Sequence, residues 1–77
     1  MDNKKIRIGT KVMWRGCFGN DEPAEAVVTG IEESSVKRSK YGESVQSIGW
    51  DRKDYGCYTL DNGHWCYGDQ ITHIVLT

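Results

Sequence analysis

Tyr58-Thr59-Leu60-Asp61-Asn62-Gly63-His64-Trp65-Cys66-Tyr67 reads as a β-hairpin. An Asn-Gly pair between two β-prone runs favours a two-residue type I′ turn, in which both central residues take positive φ. With Asn62-Gly63 as that turn, Leu60 stands opposite Trp65 and Tyr58 opposite Tyr67. Side chains alternate along a strand, so these four large residues share one face and make a core face. Cys57, Thr59 and Asp61 then share the other face with His64 and Cys66. A slip of one residue would exchange the faces; in this register turn chemistry and pattern agree.

The chain outside the hairpin has the same character. Glycines interrupt it at short intervals, and no stretch sustains a helical period without a glycine or a β-former. Strands are expected over 11–15, 25–33, 44–51, 55–60 and 71–76, with a bulge or bend at Gly30 and a short turn or single 3₁₀ turn at Gly68-Asp69-Gln70. Residues 34–43 are polar and basic and read as a mobile loop; residues 1–8 read as a flexible N-terminus. The expected core is Val12, Trp14, Ala26, Val28, Ile31, Val45, Ile48, Tyr58, Leu60, Trp65, Tyr67, Ile71 and Ile74. Five or six short antiparallel strands predict an all-β chain closed into a small barrel, because closure removes the edges an open sheet would expose.

At 77 residues this is one small domain. Such a chain buries roughly 60% of its unfolded surface, which leaves little room for a catalytic cavity. Three cysteines, an odd number, and an N-terminus without a long apolar stretch predict free thiols and a cytoplasmic location, with no membrane association. The net charge of −1 conceals alternating blocks. Residues 1–19 and 36–53 are basic, whereas residues 20–35 and 54–77 are acidic. The blocks are read first as charges that pair across strands and keep the surface soluble.

Several motifs resemble a known architecture. Gly9-x-x-Val12-x-Trp14 opens as many SH3-like barrels open, and Ala26-x-Val28-Thr29-Gly30-Ile31 resembles their second strand. Leu60-Asp61-Asn62-Gly63, an aromatic strand and Asp69-Gln70-Ile71 resemble the close of Tudor-like members. Over about residues 9–75 the chain resembles small SH3-like (Tudor-like) barrel proteins of gut bacteria and their phages, for which the resemblance implies no function. Tudor-like domains imply an aromatic cage for methylated Lys or Arg, but only Trp14 stands where a cage residue is expected. The paired-tyrosine signature of proline-binding SH3 domains is missing.

The side-chain chemistry points away from catalysis. Cys57, His64 and Cys66, with Asp61 nearby, fall on one face in the expected register, but their spacing is not that of a zinc site and a fourth ligand would have to come from Cys17 or His73. A solvent-facing strand with two thiols is the simpler reading. Cys66 beside His64 lacks any evident oxyanion hole, and no phosphate-loop signature is present. The chain is therefore read as a non-catalytic binding module without cofactor or metal. By analogy with SH3-like barrels, the groove between the loop after the first long strand and a later hairpin would draw on Trp14, Phe18, Tyr41 and Tyr55, with Arg15, Lys37, Arg38 and Lys40 at its rim. The partner would be a protein or peptide. The alternative is a nucleic-acid-associated barrel gripping phosphates through basic blocks 4–15 and 37–40; a homodimer through a strand edge is also compatible with the sequence.

Overall fold

The computed structural model describes residues 4–16 and 20–75. Its chain order is β1 (Lys5–Arg7), β2 (Lys11–Trp14), β3 (Ala24–Glu33), β4 (Glu43–Ser44), β5 (Ser47–Gly49), a 3₁₀ stretch (Trp50–Tyr55), β6 (Gly56–Leu60), β7 (Trp65–Tyr67), a 3₁₀ turn (Gly68–Gln70) and β8 (Ile71–Ile74). The main sheet is antiparallel, ordered β7-β6-β3-β2-β8, with β4 also on β3; β1 and β5 form a separate two-stranded ribbon.

The long β3 organises the sheet. Its first half pairs with β2 (Val12 opposite Ala26) and its second half with β6 (Ile31 opposite Tyr58). The change of partner is accommodated by the bulge expected near Gly30. Val28 faces Leu60 and Gly30 faces Thr59, so Thr29 is the extra residue, and its Oγ1 donates to the Thr59 carbonyl (3.2 Å). One inserted residue bends a strand, which lets β3 serve both halves of the core.

The core contains Val12, Trp14, Ala26, Val28, Ile31, Ile48, Tyr58, Leu60 and Ile71, with Val45 and Ile74 packed against it, all as expected from the alternation of apolar residues. Two members are additions. Ile6 is fully buried because residues 5–7, within the stretch read as a flexible N-terminus, pair as β1 with β5, placing Ile6 opposite the buried Ile48. Cys66 is the other. The strand expected over 44–51 is broken into β4, β5 and the start of the 3₁₀ stretch. Glu43, placed in the mobile loop by the sequence, lies in β4 opposite Glu33.

The hairpin register is a correction. Tyr58 pairs with Cys66 and Thr59 with Trp65, one residue away from the type I′ expectation. The loop has three residues, Asp61-Asn62-Gly63. Leu60 donates its N–H to the His64 carbonyl (2.8 Å), and Gly63 takes φ +85°. Hairpins with a left-handed glycine in third place are the next favoured class after two-residue turns. Asp61 is the physical reason. Its N–H donates to the Val27 carbonyl (2.9 Å) and its Oδ1 accepts from the Val27 N–H (3.1 Å), so it is held by β3 rather than opposite His64. The slip turns Trp65 and Tyr67 out of the core and Cys66 into it. Trp65 is 42% exposed, whereas Cys66 is fully buried.

Candidate functional site

The groove with the richest chemistry lies between the loop after β2 and the β6–β7 turn. It encloses about 370 Å³, and its walls include Trp14, His64 and Trp65, with Asp21 and Glu22 at the rim. The Trp14 and His64 rings are tilted at 41° with centroids 5.8 Å apart. Trp14 ends β2, where its side chain enters the core, yet its Nε1 is buried without a hydrogen-bond partner. Unsatisfied buried donors are uncommon and concentrate at strained or functional places.

A buried amide anchors the groove. Gln70 Nε2 donates to the Arg15 carbonyl (3.0 Å), and its Oε1 accepts from the Tyr67 N–H (3.0 Å). The Arg15 N–H in turn donates to the Gln70 carbonyl (2.9 Å). These bonds tie the end of β2 to the second 3₁₀ turn. Arg15 Nε donates to the Asp21 carbonyl (2.7 Å), so this guanidinium braces the loop that carries the acidic rim.

The structure separates the residues proposed from the sequence. Of Trp14, Arg15, Lys37, Arg38, Lys40, Tyr41 and Tyr55, all among the described residues, only Trp14 lines this groove. Phe18, like Cys17, lies outside the described residues. Tyr41 is 86% exposed and borders a different depression of about 490 Å³, beside Val36 and Val45. Lys37, Arg38 and Lys40 lie over outward aromatic faces instead. Lys40 Nζ sits 4.4 Å from the Trp65 ring centroid, Arg38 4.7 Å from Tyr67, and Lys37 5.9 Å from Tyr55. Arg38 also pairs with Asp69, in a left-handed conformation (φ +57°). Trp65 and Tyr67 meet edge to face with centroids 5.2 Å apart.

The one-residue register decides which functional residues are legible. His64, Trp65, Asn62, Asp21 and Glu22 line the groove but are not among the residues expected from the sequence, which places Trp65 in the core. The Asp-Asn-Gly triplet contained the missing signal: as a three-residue loop it turns Trp65 outward.

The thiol face expected on one side of the hairpin does not form. Cys66 points into the core and the half-buried Cys57 lies on the opposite face. Among the described residues no three His, Cys, Asp or Glu side chains gather to hold a metal. Burial, then the nearby Cys57 and Asp69, pushes the Cys66 thiol up to about 12. Burial followed by Glu32 raises Cys57, with Lys40 opposing. Such thiols are poor nucleophiles at neutral pH.

Cys66 has a consequence for stability. Unfolded, its thiol titrates near its usual value of roughly 8.5; folded, it retains its proton up to about 12. The stabilisation is therefore complete below about pH 8 and is lost as pH rises through that window, at most about 1.4 kcal/mol per pH unit for this thiol. Urea midpoints should fall between pH 8 and pH 10, and Cys66→Val should reduce that fall. In the native protein iodoacetamide should modify Cys57 well before Cys66, and urea should abolish the difference.

No known protein family, curated protein or solved structure matches the chain. Among the described residues no helix is long and apolar enough to cross a membrane.

Proposed function

We propose that the protein is a non-catalytic interaction module of SH3-like barrel architecture that binds a protein or peptide partner in the Trp14–His64–Trp65 groove. The observation that carries this reading is the position of the groove: loop residues Asp21 and Glu22 after β2 form one side, and hairpin residues Asn62, His64 and Trp65 form the other. That is the relation expected of an SH3-like binding groove. The bent β3, shared between the two halves of the sheet, supports the barrel reading.

An exposed tryptophan in a concave site is a common anchor for binding, because a large rigid ring buries much area at small entropic cost. A raised, inward-facing Cys66 supports a binding role over nucleophilic chemistry. Free thiols at Cys57 and Cys66 are in keeping with a cytoplasmic setting.

A random peptide library displayed on phage provides the test. Selected peptides should shift the amides of Trp14, His64 and Trp65, and Trp65→Ala should weaken binding at least about tenfold, in line with an interface hot spot. Because Trp65 is 42% exposed, this variant should remain folded. Failure to select any peptide, or binding insensitive to both Trp65→Ala and Glu22→Lys, would overturn the reading.

A further inference from the structure

The basic residues fall into two groups. Half lie against the chain's own aromatic rings and carboxylates: Lys37 over Tyr55, Arg38 against Asp69 and Tyr67, Lys40 over Trp65, Arg52 against Glu33, and Lys53 against Asp54; Arg15 donates to the Asp21 carbonyl. The corner formed by β1 and β2 is different. Among the described residues Lys4, Lys5 and Arg7 make no ion pair, and Lys11 has a long contact with Glu25 (3.8 Å). Lys5 and Arg7 flank the buried Ile6, so both lie on the outer face of β1. Lys11 precedes the buried Val12 and also faces outward.

Lys4, Lys5 and Lys11 line one open groove of about 570 Å³ with Thr10, Val27 and Ile74 nearby. Among the described residues no carboxylate lines it. A chain of net charge −1 thus gathers Lys4, Lys5, Arg7 and Lys11 at one corner, where among the described residues Glu25 is the one carboxylate in contact with them. Like charges held together repel one another, so such a corner is favourable chiefly when a polyanion occupies it.

We propose that this groove is a phosphate-binding site for the backbone of duplex nucleic acid, separate from the Trp14–His64–Trp65 groove and independent of its function. Three lysines present compact point charges, each able to meet a phosphate oxygen without the fixed bidentate geometry of an arginine fork. Among the described residues no aromatic ring lines the groove, so the contact is with backbone rather than stacked single-stranded bases. A duplex offers one charge about every 1.7 Å along its axis, and the lysines neutralise several at once. Block 37–40, whose cations lie on Tyr55, Tyr67 and Trp65, takes no part.

Fluorescence anisotropy with a labelled DNA duplex of arbitrary sequence tests this. Binding at low salt should weaken as salt rises, with a log–log slope of about −3 for three phosphate contacts. Lys4→Gln/Lys5→Gln/Lys11→Gln should lower affinity at least about tenfold and flatten the slope. Lys37→Gln/Arg38→Gln/Lys40→Gln should leave both within about twofold. Lys5→Glu alone serves as a second variant should the triple change fail to fold, and thermal melts followed by circular dichroism monitor folding. The proposal is overturned by no anisotropy change at low salt, by equal losses in the two triple variants, or by polyglutamate or anionic lipid vesicles competing as well as unlabelled duplex at equal charge.

Discussion

Tyr58→Ala should leave the protein largely unfolded at ambient temperature. Tyr58 is completely buried, and its ring packs where the second half of β3 crosses β6, opposite Cys66 on the next strand. Removing a buried aromatic ring costs about 3–5 kcal/mol. A single core in a domain of this size supplies a net stability of about the same magnitude. The hydroxyl adds a specific bond, donating to the Lys53 carbonyl at 2.8 Å. Tyr58→Phe keeps the ring and loses that bond, so it should cost about 0.5–1.5 kcal/mol and remain folded. Urea unfolding monitored by tryptophan fluorescence separates the outcomes: no native baseline for the alanine variant, a lowered midpoint for phenylalanine. A native-like transition for Tyr58→Ala would show that this ring does not organise the core.

The second large effect falls on Gly68, at the opposite side of the same carbonyl. A methyl group on Gly68 would lie 1.8 Å from the Lys53 carbonyl oxygen and 2.8 Å from the Asp54 nitrogen. These are backbone atoms, so no side chain can swing away to make room. Lys53 Nζ also donates to the Gly68 carbonyl (3.0 Å), and the Gly56 N–H donates to the Lys53 carbonyl. The two 3₁₀ segments are thus docked backbone to backbone. Gly68→Ala should destabilise by about 3 kcal/mol or more, at the upper end of overpacking effects, and lower Tm by more than about 10 °C. Gly30→Ala is the matched control. Its added methyl would lie 3.5 Å from the Thr59 side chain, an ordinary contact, and should cost no more than about 1 kcal/mol. Equal melting shifts for the two variants would contradict the docking argument.

Both effects converge on Lys53, which nothing in the sequence marks. Asp54 and Gly68 are far apart along the chain, and only folding places one backbone against the other. The same distinction separates the parts of the candidate site. Trp14 was legible because β2 alternates apolar and polar residues and ends at a turn. The acidic rim and Trp65 were not, because their placement depends on where Asp61 bonds.

Local chemistry determined most of the strands, the bulge near Gly30, the 3₁₀ turn at Gly68–Gln70 and much of the core, because alternation and turn residues act over a few positions. Tertiary structure decided the hairpin register, and with it which of Tyr67, Trp65 and Cys66 faces the core. Asn62-Gly63 is compatible with two loop lengths of similar preference. The bonds between Asp61 and Val27, contributed by a strand more than thirty residues away, select one of them. The basic blocks follow the same logic: sequence sets their charge, but only the fold lays the second over Tyr55, Tyr67 and Trp65 and lines one groove at the β1–β2 corner with Lys4, Lys5 and Lys11.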